Sequence, residues 1–395
     1  MPENGLKMKA LHIINITTFG GAENLLIPFL PALANKGINV SCAILCPGKT
    51  PEAAKKIRDD LKEKGITVYY KEFRSSWERS NFKWISKIIN ETGADIIHSH
   101  LRHPEAWVVA LKIFGRLQKP VVATAHGYND RYMNRYGLKM VWKAYFSGYY
   151  WVTRLVSKKI DGFIYVSNCI KKFYKQASFG KNKPDVVIPH GYPQQPAEEN
   201  SPIKKMQHRI VTWGRIVERK GYSYAVKALK LVKENFKEAE LHILGMGAFQ
   251  NKLQDMVEQE GLSGCVFFHG YKNDILPELK QYDVALLPSY WEPFGLVFLD
   301  AFAARIPVVA FDLPAGNEII HHNQNGLLAI PYDAKDLAKK IEMLFENPAL
   351  RNDLVQNGLY SLRSAFSMDI MADRHISFYS SLIENDGKNK KKAIA

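Results

Sequence analysis

Ten short apolar runs, separated by stretches of helical periodicity, decide what this chain can fold into. Five lie in the first half: LHIINI (11–16), VSCAIL (40–45), DIIHSH (95–100), VVATAH (121–126) and GFIYVS (162–167). Five more follow: RIVTWG (209–214), ELHILG (240–245), CVFFHG (265–270), DVALLP (283–288) and PVVAF (307–311). Runs that are apolar almost throughout are what strands buried on both faces require, and strand–helix alternation builds parallel sheets covered by helices. Between the two series lies YPQQPAEENSP (192–202), whose three prolines among polar residues can continue neither strand nor helix. The chain's 395 residues also exceed the roughly 250–300 at which one core stops growing. The expectation is an α/β protein of two doubly wound domains, 1–192 and 203–367, with a linker at 193–202 and a closing C-terminal helix and basic tail at 368–395.

Composition removes several function classes. No run approaches the roughly 18 apolar residues of a membrane-spanning helix. The N-terminus MPENGLKMKALHIINI lacks the pattern of a secretory signal, so a cytoplasmic protein is expected. The four cysteines, Cys42, Cys46, Cys169 and Cys265, are sparse and sit in apolar contexts, as buried thiols do. Cys42 and Cys46 lack a second ligand pair at metal spacing, so no metal site is expected. Net charge is +15, which points to phosphate, anionic lipid or nucleic acid as a partner. Residues 131–175 hold ten Lys or Arg against the single acid Asp161, so this stretch alone carries +9.

In a doubly wound sheet, ligands bind beyond the carboxyl ends of the strands, at the first turn of the next helix. The residues at those places are the candidates. Gly20 and Gly21 follow the first run, where they either let backbone N–H groups approach an anion or simply turn the chain. In GRIVERKG, Arg215 and Lys220 follow the strand RIVTWG; two cations there suit a diphosphate, although a solvated loop is the ordinary reading of such residues. Gly245 opens GMG after another strand, a pattern equally consistent with a turn. His126 ends VVATAH, where a neutral imidazole can hydrogen-bond a polar substrate, and His100 and His190 also stand at or just past strand ends.

SYWEPFGLVFLDAF (289–302) is the densest of these segments. Pro293, Phe294 and Gly295 form a turn into a helix, leaving the N–H groups of Leu296 and Val297 unpaired for a phosphate oxygen. Glu292 lies just before that helix and Asp300 over one turn inside it, so both carboxylates can meet one ligand, and carboxylate oxygens suit sugar hydroxyls. A capping Glu292 and a solvated Asp300 are the plainer alternative, against which the apolar flanks LVFL and AFAA argue.

Taken together and in order, GGAE, the strand-ending His126 in AHG, GRIVERKG, LGMGAFQNKL, SYWEPFGLVFLDAFAARIPVVAF, GNEII and NGLL resemble the retaining glycosyltransferases of family 4 over nearly the whole chain. The resemblance implies a GT-B fold, two Rossmann-like domains facing across a cleft, and transfer of a hexose-type sugar from a UDP- or GDP-linked donor with retention of configuration. It implies that Arg215 and Lys220 stabilise the departing diphosphate, that Gly20 and Gly21 line the same cleft, and that His126 contacts the donor sugar. It places Glu292 near the sugar ring and the second acid, Asp300, on the ribose hydroxyls. It assigns the first domain to a glycan or lipid-linked acceptor. Two positions depart from the family pattern: Asp300 stands where the family has Glu, and His190-Gly191 where relatives commonly have Asn-Gly.

Such chemistry asks chiefly for preorganised positive charge at the leaving group. The sequence has no Asp-x-Asp triplet to clamp a diphosphate through a divalent cation, so no cofactor beyond the nucleotide sugar is expected. The stretch YMNRYGLKMVWKAYFSGYYWVTRLVSKK, with Arg135, Lys139, Trp142, Lys143, Trp151 and Arg154, has the composition of a surface that docks on anionic lipid, which predicts peripheral attachment to the inner face of the plasma membrane. Alternatives from other classes are a nucleotide-sugar or nucleic-acid binding protein without catalysis, and a nucleotide-sugar epimerase on the same architecture. No nucleic-acid module is recognisable, so no nucleic-acid partner is expected.

Overall fold

The computed structural model describes residues 8–16, 21–48, 51–74, 78–128, 133, 139–193 and 207–394. The described residues within 1–133, 139–193 and 368–395 form one compact unit, and those within 194–367 form a second.

The first unit is built on a parallel sheet of seven strands: β1 (Lys9–Asn15), β2 (Asn39–Pro47), β3 (Thr67–Phe73), β4 (Ile96–His100), β5 (Val121–Ala125), β6 (Gly162–Tyr165) and β7 (Asp185–Val187), in the order β3-β2-β1-β4-β5-β6-β7. Every residue of β4, β5 and β6 is buried, as the unbroken apolar runs require. The helix Met368–Ile394 closes this unit, setting Met371, Ala372, Tyr379 and Leu382 into a core with Leu26, Phe29, Ile44 and Ile164. Gly162 makes that contact possible: a Cβ there would lie 2.6 Å from Leu382 Cδ1.

The second unit repeats the plan with six parallel strands: β8 (Arg209–Trp213), β9 (Glu240–Leu244), β10 (Val266–Phe268), β11 (Val284–Leu287), β12 (Val308–Phe311) and β13 (Leu327–Ala329), ordered β10-β9-β8-β11-β12-β13. Its core joins Ile210, Ile243, Leu286 and Val309 of the strands to Ala225, Leu229, Leu337 and Ile341 of the covering helices. In each sheet the strand order reverses at one point, between β1 and β4 in the first and between β8 and β11 in the second, and that crevice is where ligands of such sheets bind.

Cys42, Cys46 and Cys169 are buried thiols and Cys265 is half-buried. Among the described residues no helix is long and apolar enough to cross a membrane.

Candidate functional site

The carboxyl edge of the second sheet gathers the residues of GRIVERKG and SYWEPFG at the reversal between β8 and β11. After β8 the chain passes Arg215, which is exposed, and makes a 3₁₀ turn, Glu218–Lys220. Gly221 then adopts a φ of 72° as it enters the helix Tyr222–Asn235. A side chain is excluded there because its Cβ would stand 1.8 Å from the Pro288 carbonyl oxygen, so the turn is pressed against the end of β11. After β11, the segment 288–295 leads into the helix Leu296–Ala304, capped by Gly295 at a φ of 102°. Leu296 and Val297 are therefore the first residues of that helix, and their N–H groups precede any intrahelical acceptor.

Glu292 is 6% exposed and is held on both oxygens. Oε1 meets Lys220 Nζ at 2.5 Å and accepts the Ser289 hydroxyl at 2.9 Å. Oε2 faces Arg219 Nη1 at 3.5 Å. Burial alone would raise this carboxyl, but Lys220 and then Arg219, with the hydrogen bonds from Lys220 and Ser289, outweigh it and hold Glu292 below the usual carboxylate range. Glu292 is thus an ionised, clamped carboxylate and not a helix cap. Lys220 and Arg219 outnumber the single carboxylate that they hold, a composition suited to an anionic group.

Asp300 is half-buried and accepts the indole N–H of Trp213, the last residue of β8, at 3.3 Å. It is not the solvated helix residue of the plainer reading. The Phe294 ring is buried beside Phe366, with centroids 6.1 Å apart, so its side chain belongs to the core and only its backbone remains for a donor. Gly245 brings two loops together: a Cβ there would lie 1.9 Å from the Gly214 carbonyl oxygen, and its N–H donates to the Gly270 carbonyl at 2.7 Å.

The corresponding edge of the first sheet carries a cluster of histidines. His126 follows β5, and its Nε2 lies 3.2 Å from His100 Nδ1. His100 Nε2 in turn lies 2.9 Å from His12 Nδ1. A neutral imidazole has one N–H and one lone pair, so the three rings form a chain whose N–H groups all run in one sense. The chain ends on two buried atoms, His12 Nε2 and His126 Nδ1, that have no hydrogen-bond partner among the described residues. His98 stacks on His100 with centroids 4.1 Å apart and bonds Tyr379 OH at 2.5 Å and Thr124 Oγ1 at 2.6 Å. His190 stacks on His126 at 5.4 Å, and His375 gives its Nδ1–H to the Met371 carbonyl at 2.8 Å. Burial, with neighbouring imidazoles adding to it, lowers His126 to about 4 and His12 to about 3, and lowers His98, His100 and His190 well below 6.5. Burial lowers His375 to about 4 against its hydrogen bond to Met371.

His12, His98 and His100 have the proximity of a metal set, but both His98 nitrogens are taken by Tyr379 and Thr124. The three donors are neutral as well, which leaves a dication uncompensated in a core.

Gly21 is the exposed first residue of the helix Gly21–Asn35, whereas Gly20 and Arg135 lie outside the described residues. The described part of the basic stretch includes a 3₁₀ turn, Trp142–Phe146, and a helix, Gly148–Lys159. Trp142 is 68% exposed, Phe146 80% and Leu155 60%, and Trp151 is also exposed. Lys139 and Lys143 stand exposed, with Lys143 Nζ 5.9 Å from the Trp142 ring centre and the Arg154 guanidinium 5.5 Å from that of Trp151.

Sequence reasoning did not pick out Arg219, Ser289 or Trp213, whose parts depend on how two turns pack. It also missed His12, His98 and His375, although His98 and His100, two apart on one strand, share a face.

Comparison with known proteins agrees with this geometry. Residues 194–359 match the family model of glycosyl transferases group 1, and residues 19–195 match that of glycosyltransferase family 4. The lipopolysaccharide core biosynthesis glycosyltransferase LpsD of Rhizobium meliloti is 26% identical over 94% of this chain and 98% of its own length. An uncharacterized glycosyltransferase of Methanocaldococcus jannaschii is 32% identical, but that match spans 47% of this chain and about half, 48%, of the relative. Among solved structures, HepE of Anabaena in complex with UDP and glucose superposes with a TM-score of 0.74 at 18% identity, covering 95% of this chain and all of that one. The chain is a glycosyltransferase of the GT-B, family 4 type.

Proposed function

We propose that this glycosyltransferase moves a hexose-type sugar, with retention of configuration, from a UDP- or GDP-linked donor to a glycan or lipid-linked acceptor in lipopolysaccharide or related surface polysaccharide synthesis. The clamp of Lys220 and Arg219 on the buried Glu292, at the head of a helix and at the sheet's reversal point, is the observation that carries this reading. In it, the bond from the anomeric carbon to the phosphate oxygen breaks and its electron pair stays on the diphosphate. Lys220, Arg215 and the N–H groups of Leu296 and Val297 receive that charge. The acceptor hydroxyl attacks from the face the phosphate leaves, and its proton passes to the departing phosphate oxygen. Glu292 holds the donor sugar and Asp300 the ribose. His126 of the first unit, kept neutral by burial, offers a hydrogen bond to a hydroxyl of the donor sugar without adding charge. The two cations and the helix terminus meet the diphosphate charge without a divalent metal.

The relatives support the substrate class: LpsD is named for lipopolysaccharide core synthesis, and HepE is described with UDP and glucose. The exposed aromatic and basic side chains of the 3₁₀ turn Trp142–Phe146 and the helix Gly148–Lys159 are proposed to rest on anionic lipid at the cytoplasmic side of the membrane, where Trp142, Phe146, Trp151 and Leu155 enter the headgroup region beside Lys143 and Arg154. Co-sedimentation with anionic and with neutral vesicles tests this: pelleting with the anionic ones alone is expected, and absence from both pellets removes the proposal.

The donor reading is tested by melting the protein with UDP, GDP and ADP in the presence of EDTA. UDP or GDP is expected to raise the melting temperature, because a ligand of the native state stabilises it by mass action, and a shift with ADP alone would overturn the choice of donor. No shift with any of them would sink the reading. A shift only when magnesium replaces EDTA would sink its metal-free part.

A further inference from the structure

Lys220 cannot hold Glu292 and a donor diphosphate at full strength together, and Glu292 is too buried to be left without a cation. We propose that Arg219 is a positioning residue that keeps Glu292 ionised and in place while Lys220 passes from the carboxylate to the diphosphate. The proposal rests on the donor reading above.

The two cations differ in how they are held. The Arg219 guanidinium donates to the Trp291 carbonyl at 3.3 Å and lies over the Trp291 ring, 5.0 Å from its centre. The Arg219 carbonyl accepts the Tyr290 N–H at 2.7 Å, which ties its backbone to the β11 side of the site. Arg219 is therefore fixed to the segment that carries Glu292 and cannot follow an anion. Lys220 is a point charge on a flexible stem, and its ammonium rests on the Glu292 carboxylate. Each cation takes a different oxygen, so departure of Lys220 from Oε1 leaves Ser289 on Oε1 and Arg219 on Oε2. Without Arg219 the same departure would strand a buried carboxylate with one hydroxyl, which is strongly unfavourable. Arg219 thereby lowers the free energy of releasing Lys220 without touching the nucleotide.

The test is UDP binding, by calorimetry on the full chain, to wild type, Arg219→Gln, Glu292→Gln and the double variant. Arg219→Gln is expected to weaken UDP about tenfold, because Glu292 then retains Lys220. Glu292→Gln frees Lys220 and is expected to bind UDP at least as tightly as wild type. In the Glu292→Gln background, the Arg219 substitution should then change affinity by less than about twofold. An equal loss in both backgrounds would overturn the proposal, since Arg219 would be acting on the nucleotide through its own charge; so would wild-type affinity in Arg219→Gln. If Arg219→Gln fails to melt cooperatively, Arg219→Lys replaces it. Lys keeps the charge but cannot bond the Trp291 carbonyl and Glu292 with one planar group, and an intermediate loss, again absent in the Glu292→Gln background, is expected. Wild type that binds UDP while the cycle shows no coupling removes this proposal alone; wild type that binds no nucleoside diphosphate removes the donor reading and this proposal with it.

Discussion

The two units share one backbone plan and put opposite chemistry at the same place on it. At the reversal between β8 and β11 the chain gathers Lys220 and Arg219 around the ionised carboxylate of Glu292. On the strands at the reversal between β1 and β4 stand His12, His98 and His100, with His126 just past β5, all neutral, joined ring to ring. Burial is severe in both places, and the outcome depends on whether a partner of opposite charge is at hand. Glu292 has two, so desolvation loses and the charge stays. The histidines meet other imidazoles, neutral hydroxyls and a backbone carbonyl, so desolvation wins and the charge is expelled. A parallel sheet edge thus fixes where a ligand would bind, while the turn residues decide what kind of ligand it can be.

Acid separates the two regions most sharply, and the sign follows from the direction of the shifts. Each of the six histidines titrates near 6.5 when unfolded and lower when folded, so the unfolded chain binds more protons below about pH 6.5. Their contribution is intact above that pH and is lost as pH falls from about 6.5 towards 4. For His12, His126 and His375 the loss is about 2 kcal/mol each at pH 5. The Glu292 clamp behaves otherwise: its contribution is kept above about 4.5 and falls away only below. His103 of the first unit is lowered by burial as well, and so are His242, His269 and His322 of the second, so that among the described residues three rings stand against seven. Calorimetric melting at pH 7 and pH 5 should therefore show the transition of the first unit falling much further than that of the second. Equal shifts would break the contrast.

The same contrast explains what could be read from the sequence. All ten apolar runs became strands, and the three strands that no run announced, β3, β7 and β13, are all sheet edges. An edge strand needs burial on fewer sides, so β3 reads TVYYKEF and the other two are three residues long. Lys220, Glu292 and Asp300 were legible because strand–turn–helix order alone puts them at the carboxyl edge. Arg219 was not, since its role depends on the Trp291 carbonyl lying opposite, a fact of turn packing. The histidine cluster was half legible: His98 and His100 share a face, but His12 joins them only because β1 pairs with β4, with His12 beside His98.

Asp300 provides the finest test, because the family pattern has Glu there and the structure shows what the shorter residue does. Its carboxylate already reaches the indole N–H of Trp213 at 3.3 Å while remaining half-buried over the second turn of the helix. One added methylene moves the two oxygens by little over an ångström and removes neither, so Asp300→Glu should change UDP affinity by less than about tenfold, or about 1.4 kcal/mol. Wild type is expected to bind UDP more tightly than its 2′-deoxy analogue, since the half-buried Asp300 carboxylate left without its ribose hydroxyl loses a charged hydrogen bond. Asp300→Glu should keep that preference and Asp300→Asn should reduce it, because the amide offers Trp213 one acceptor but no charge to the ribose. A preference that vanishes in Asp300→Glu would mean that Trp213 and the shorter side chain form a single unit fitted to the nucleotide. The departure from the family pattern would then be a feature of this donor site rather than a tolerated variation.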